Sequence, residues 1–286
     1  MVKILTFDIE EWFHILDNES TKSPKQWSDY ESRIHENMDT ILKFLDETNL
    51  QATFFIVGWI AEKYPEVVKR INNQGFEIGS HTHYHQLMYD QSRHQVKEDL
   101  TKSIDVLESL TGKKVRCFRA PGFSIKQQNK WALEVLVENG ITHDSSIFPA
   151  SRSHGGFPEL KNSKPFTIEV SGFKLKEFPI NTIKVLHKNW IYSGGGYFRI
   201  FPYNLIRYWS NKSDYIMTYF HPRDFDPDQP VLEELSTIRK FKTYVGLKDC
   251  MAKLEKWSSE FNFIDLATAD KLIDWDSTET IYLNSI

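Results

Sequence analysis

The sequence predicts an α/β fold, with a mainly parallel sheet that closes, at about seven strand–helix units, into a TIM-like barrel. Three observations carry this expectation. Helix–glycine–strand joints recur at Gly75, Gly112 and Gly140. Short β-branched and aromatic runs alternate with segments of helical period. Polar residues gather where the expected strands end, as they do on the C-terminal rim of a parallel barrel. An open doubly wound sheet is the alternative. Gly194-Gly195-Gly196 has neither the spacing nor the strand-to-helix setting of a phosphate loop.

Val2 to Ile9 reads as a buried parallel strand that runs into the acids Asp8, Glu10 and Glu11. Residues 12–31, polar and rich in tryptophan, read as a long loop. Ile34, Met38, Ile41, Leu42 and Leu45 carry a helical period, and Ala52 to Val57 is a second strand closed by Gly58. A helix follows with Pro65 in its first turn and Gly75 at its end. Phe76 to Ser80 is a third strand. Val96, Leu100, Ile104 and Leu107 mark a long amphipathic helix. Val115 to Arg119 is a fourth strand, stopped by Pro121 and Gly122. A helix through Trp131, Val135 and Leu136 precedes a weaker strand at 141–147. Residues 148–164 read as an excursion. The runs 166–170 and 173–180 flank Ser171-Gly172 as a hairpin or barrel strand. A short helix near Tyr203 leads to the strand Tyr215 to Phe220, which ends in His221-Pro222. Residues 231–260 read as helical with a break near Gly246, and a last strand at 263–266 precedes a C-terminal helix.

The 286 residues suit one α/β barrel. Residues 1–286 are therefore expected to form a single catalytic domain with a helical extension from about residue 231. The net charge of −4, with both signs interspersed, gives no sign of a nucleic-acid binder. Cys117 and Cys250 read as buried small hydrophobes rather than a disulfide. No basic stretch followed by an apolar run opens the chain, and no transmembrane segment appears, so the expected location is cytoplasmic.

His81 and His85 follow the third strand at a spacing that sets both imidazoles on one side of a helical turn. Two imidazoles and a carboxylate form a three-ligand site with open positions, the catalytic pattern for zinc. Glu10 and Glu11 are the candidate carboxylates. Strand alternation sends Asp8 and Glu10 to one side and Glu11 to the other. An ion there acidifies a water to a pKa of roughly 7 and polarises a carbonyl. An unligated carboxylate can take the water's proton, an arginine can orient it, and a histidine opposite can protonate a leaving amine. Such a site hydrolyses an amide or an ester.

Thr6-Phe7-Asp8, Ser80-His81-Thr82-His83-Tyr84-His85, Arg119-Ala120-Pro121 and the late His221 resemble the ordered motifs of the NodB-type polysaccharide deacetylases, from residue 2 to about 226. The resemblance implies a distorted (β/α)7 barrel, a divalent metal, expected to be Zn²⁺, and removal of acetyl groups from N-acetylated sugars. It implies Asp8 as general base, His81 and His85 as metal ligands, Arg119 as the group that orients the base, and His221 as general acid. The usual second aspartate is replaced by Ile9, which leaves Glu10 as the expected third ligand. No tryptophan follows Asp144 closely, so the carboxylate partner of His221 is open among Asp144, Asp224 and Asp226. Further stretches, including Gly-Gly-Gly-Tyr-Phe-Arg and His-Pro-Arg-Asp-Phe-Asp, resemble a branch associated with exopolysaccharide and O-antigen clusters.

Tyr192, Gly195, Tyr197 and Pro121 are the expected sugar contacts, although core packing competes for the aromatic rings. His83 is expected to point away from the metal, and His14 to line the mouth. Two other readings compete: a metal-independent amidohydrolase of small nitrogenous substrates, and a non-catalytic glycan-binding barrel. The full set of base, acid and ligand residues favours the metal-dependent deacetylase.

Overall fold

The computed structural model describes residues 1–16, 18–161 and 163–285; Asp17, Asn162 and Ile286 lie outside them. The strands are β1 (Val2–Ile4), β2 (Thr6–Ile9), β3 (Thr53–Ile56), β4 (Glu77–Ser80), β5 (Cys117–Phe118), β6 (His143–Asp144), β7 (Phe166–Val170), β8 (Phe173–Glu177), β9 (Ile183–Val185), β10 (Lys188–Trp190), β11 (Tyr215–Met217) and β12 (Thr280–Tyr282). The helices are α1 (Ile34–Thr48), α2 (Gly58–Lys63), α3 (Pro65–Asn73), α4 (Arg93–Thr111), α5 (Ala132–Glu138), α6 (Gly195–Ile200), α7 (Tyr203–Asn211), α8 (Thr237–Tyr244), α9 (Cys250–Glu260) and α10 (Leu266–Leu272).

Strands β2, β3, β4, β5, β6 and β8 pair in that order, all in parallel. Parallel pairing of β1 with β11 continues the ring. Asp8 N–H donates to the Phe220 carbonyl at 2.7 Å, and Phe220 N–H donates to the Thr6 carbonyl at 3.2 Å, which joins residues 218–220 to β2. Closure from β8 to β11 is irregular. The Asn181 side chain accepts the Met217 N–H at 3.1 Å, and Gly194 bridges Tyr219. The result is the distorted (β/α)7 barrel.

Alternation along the strands divides the core. Phe55, Cys117, Met217 and Tyr219 share one cluster with Leu266 and Ala269 of α10. Phe54, Ile56, Phe118, Ile216 and Phe220 belong to a second cluster with the surrounding helices. The first set fills the barrel, and α10 closes its lower end, where Leu266 N–H donates to Thr53 Oγ1 at 2.9 Å. Asp8 lies opposite Phe55 in the β2–β3 register, so it shares the inward phase.

Several expectations shift in detail. A helix, α2, starts directly at Gly58 and gives way to α3 because Pro65 sits at the first position of the latter. The expected strand at 263–266 is reduced to one bridge between Ile4 and Ile264. Instead β12 adds to β7, beside the β7–β8 hairpin. The helical extension begins at Thr237, and Gly246, at a φ of +68°, separates α8 from α9. Cys117 and Cys250 are buried free thiols. Among the described residues no helix is long and apolar enough to cross a membrane.

Candidate active site

Glu10, His81 and His85 converge at the rim: their ligand atoms lie within 4.8 Å of one another, and all three residues are buried. The chain from 81 to 85 is not a helical turn, contrary to expectation. Thr82 and His85 adopt left-handed backbone, at φ of +62° and +49°. Such strain persists only when the surroundings hold it. Here Asp99 of α4 accepts the N–H groups of His83 and Tyr84, at 2.7 and 2.9 Å. The bent loop, rather than helical spacing, brings the two rings together at a centroid distance of 5.2 Å.

The donor chemistry fits a divalent cation. His81 Nδ1 is 2.7 Å from the Arg119 carbonyl, which can only accept, so the proton sits on Nδ1 and the Nε2 lone pair is free. Glu10 Oε2 lies 2.5 Å from His85 Nε2, yet it is buried without a hydrogen bond. Burial alone would raise the Glu10 carboxyl, but the facing His85, His221 and His81 bring it down to about 2. Burial and the neighbouring His85 push the His81 imidazole well down, which keeps it neutral. Glu11 is engaged elsewhere. Its carboxylate accepts from Ser32 and from the N–H groups of Arg33 and Ile34 at the start of α1.

Asp8 stands beside this triangle. Arg119 Nη1 donates to Asp8 Oδ1 at 2.6 Å and to Thr6 Oγ1 at 2.7 Å, and the guanidinium lies 4.3 Å from the Phe55 ring centre. Burial raises the Asp8 carboxyl, and Arg119 and His221 offset only part of this. His221 Nε2 faces both carboxylates, 3.8 Å from Asp8 Oδ2 and 3.7 Å from Glu10 Oε1. Its other nitrogen, Nδ1, is 3.0 Å from Asp224 Oδ2. Asp224 is therefore the carboxylate partner. Asp226 pairs with Arg33 at 2.6 Å, and Asp144 is fully buried at the Ser146 hydroxyl, 2.6 Å away. Burial alone would lower the His221 imidazole; Glu10, Asp224 and Asp8 outweigh it and lift it to about 9.

Asp224 is itself held. Arg199 Nε lies 2.9 Å from Asp224 Oδ1, and Arg199 donates to the carbonyls of Thr243, Val245 and Lys242. The triple glycine makes this possible. A Cβ at Gly194 would fall 2.0 Å from the Tyr219 carbonyl oxygen, and Gly195 has a φ of +50°. The backbone thus closes against Tyr219 and turns directly into α6, which carries Arg199. Arg199 has no spacing signal in the sequence; the only hint is its place in the Gly-Gly-Gly-Tyr-Phe-Arg run.

An open cleft of about 320 Å³ contains Asp8, Glu10, His81, His85 and His221, with Gly122, Phe123 and Gly195 in its walls. Tyr192 is not there, a correction to the expected sugar contacts. It is fully buried, packs on Trp209 and bonds Ser213 at 2.9 Å. Tyr197 lines an adjoining cavity with Trp190 and Arg152. Pro121 is buried in a tight turn, and the next two residues, Gly122 and Phe123, reach the cleft instead. The buried His83 ring points away from the triangle, toward Glu62 at 3.2 Å. His14 does line the cleft, stacked 5.6 Å from His85.

Residues 5–142 match the polysaccharide deacetylase family, and residues 145–271 match a domain of unknown function, DUF3473. A peptidoglycan-N-acetylglucosamine deacetylase of Bacillus cereus is 38% identical over 95 residues, 33% of this chain and 34% of that protein. A chitooligosaccharide deacetylase of Azorhizobium caulinodans is 30% identical over 97 residues, 34% of this chain and 43% of that protein. The match thus spans under half the length of each of these relatives. A solved structure from Mycobacterium smegmatis, named for polysaccharide deacetylation, covers 98% of this chain and 92% of its own at a TM-score of 0.68 and 17% identity, a likeness of fold. Residues 5–142, with Asp8, His81, His85 and Arg119 in the expected order, thus carry the likeness to the polysaccharide deacetylase family.

Proposed function

We propose that this chain is a metal-dependent hydrolase that removes acetyl groups from N-acetylated sugars of a polysaccharide or glycan precursor. One observation carries the reading. Asp8 and His221 face one another at 3.8 Å beside the Glu10–His81–His85 triangle, so base, acid and metal donors share one cleft. The two matched stretches act as one catalytic unit. Asp8, Glu10, His81, His85 and Arg119 come from the first, and Arg199, His221 and Asp224 from the second.

Glu10, His81 and His85 would hold the ion, for which Zn²⁺ suits one carboxylate and two imidazoles. When bound, it supplies Lewis-acid polarisation of the acetyl carbonyl and acidifies water. The chain's own residues do the remainder. Asp8 accepts the proton of the attacking water, and Arg119 fixes the orientation of its carboxylate. His221, protonated through Asp224, gives its proton to the sugar nitrogen as the C–N bond breaks. Acetate and a free amino sugar result. Arg199 holds Asp224, and so His221, in place.

The test is acetate release from an N-acetylated chitooligosaccharide by zinc-loaded and metal-stripped protein. Equal molar amounts of acetate and free amine, from the loaded protein only, support the reading. Release that survives full metal removal would favour the metal-independent amidohydrolase. No release from any acetylated glycan, with binding retained, would favour a glycan-binding barrel.

A further inference from the structure

The arginines around the cleft differ in one respect. Arg119 is paired with Asp8, Arg199 with Asp224 and Arg33 with Asp226. Arg223 also lines the cleft, but among the described residues no carboxylate pairs with it. Its Nη2 donates to Gln229 Oε1 at 2.8 Å, and its guanidinium lies 5.8 Å from the Tyr244 ring centre. Gln229 is buried and fixed: its Nε2 donates to the carbonyls of Arg223 and Asp226, both at 2.7 Å. The nearest acids are engaged. Asp224 serves His221 and Arg199, and Glu10 faces the histidines.

A half-buried guanidinium with no directly paired carboxylate is costly to desolvate, and its N–H groups not used by Gln229 remain available. Arg199 of α6 adds repulsion: burial and Arg199 lower the Arg223 guanidinium, against the opposing pull of Asp224 and Glu10. A purely structural arginine in this position would gain from a directly paired carboxylate. One kept without it, and held still by Gln229, is arranged for an anion that arrives from outside. Lys242 of α8 lines the same cleft and adds positive charge at its mouth.

We propose that Arg223 forms an anion subsite, so that the preferred substrate is an N-acetylated sugar that carries a carboxylate or phosphate group close to the acetamide. This rests on the deacetylase reading for the acetyl group but not for the binding of the anion. Arg223 acts on specificity: it offers its planar fork to the charged group and so sets which sugar presents its acetamide to Asp8 and His221.

The experiment compares three substrates on the zinc-loaded protein: a neutral N-acetylchitooligosaccharide, an N-acetylated oligosaccharide with an adjoining uronic acid, and an N-acetylhexosamine linked to phosphate. Wild type should favour a charged substrate over the neutral one in kcat/KM by on the order of tenfold to a hundredfold, the range of one charge-assisted pair. Arg223→Gln should bring that ratio near unity, mainly through KM, and Arg223→Lys should retain part of it. The uronic and phosphate arms tell which anion is recognised. Calorimetric titration with glucuronate and with a sugar phosphate reads the subsite without turnover, so it decides the matter even if no acetate is released. Binding by wild type that Arg223→Gln loses supports the proposal. Equal binding by both, an equal fall on charged and neutral substrates, or wild-type indifference to charge would overturn it. A marked fall in the Tm of both variants would assign Arg223 a structural role and would overturn it as well.

Discussion

The Asp224→Asn substitution tests how His221 works as an acid. In the structure Asp224 Oδ2 is 3.0 Å from His221 Nδ1, and the lift of the imidazole from 6.5 to about 9 is shared among Glu10, Asp224 and Asp8. That lift is worth about 3 kcal/mol in total, at 1.36 kcal/mol per pH unit. An ion held by Glu10 would offset that carboxylate's charge, which leaves Asp224 as the main support. The sign follows directly. His221 must be protonated to donate, so activity falls as pH rises through its pKa, and a lower pKa moves that fall to lower pH. With Asn at 224 the alkaline limb of kcat/KM should drop by at least about one pH unit. Near pH 10 the rate should fall on the order of tenfold and near pH 8 about twofold, whereas near pH 6 the two proteins should differ little in protonation. Arg199 would also lose its carboxylate, so the variant should be less stable by up to about 3 kcal/mol. The assay is acetate release across pH at a temperature where a thermal melt shows the variant folded. An alkaline limb that stays near its wild-type position would refute the assignment of Asp224 as the group that keeps His221 protonated.

Other substitutions separate the remaining roles. Asp8→Asn should keep the metal, measured by elemental analysis, yet lose on the order of 10²-fold or more in kcat; loss of metal would make Asp8 a ligand. Glu10→Gln should lower metal occupancy, whereas Glu11→Gln should keep it and cost about 1 kcal/mol in urea unfolding through the weakened start of α1. His221→Ala should lose amide hydrolysis far more than hydrolysis of an aryl acetate, because an aryloxide leaves without a proton; equal losses would remove the general acid from the scheme. Gly194→Ala should destabilise the protein by about 1–3 kcal/mol or more, since its Cβ would press on the Tyr219 carbonyl; an unchanged melt would contradict the tight closure.

The sequence made legible what strand alternation controls. Asp8 and Glu10 share an inward phase and Glu11 does not, and the structure gives Glu11 to the start of α1. Arg119 and His221 were legible because each ends a strand of a parallel ring. What alternation does not control stayed hidden. The sequence pointed to a helical turn at His81 and His85, but the left-handed residues Thr82 and His85 shape the loop, held by Asp99 in a distant helix. The partnership of Arg199 with Asp224 joins α6 to the turn after His221 and has no periodic signature. Tyr192 was misjudged for a related reason. An aromatic residue beside a glycine run can face the sugar or the core, and packing against Trp209 decides for the core. The strand β12 escaped notice because three residues of suitable type are too few to announce a strand before their partner β7 is known.

The most direct measurement of the central claim is a diffraction experiment on crystals of the zinc-loaded protein with data collected at the zinc absorption edge. The account predicts one anomalous peak within about 2.0–2.2 Å of His81 Nε2, His85 Nε2 and a Glu10 carboxylate oxygen, with Asp8 and His221 beside it but not bound. A peak ligated by Asp8, Glu11 or His14 in place of Glu10, or no peak within the cleft, would contradict it.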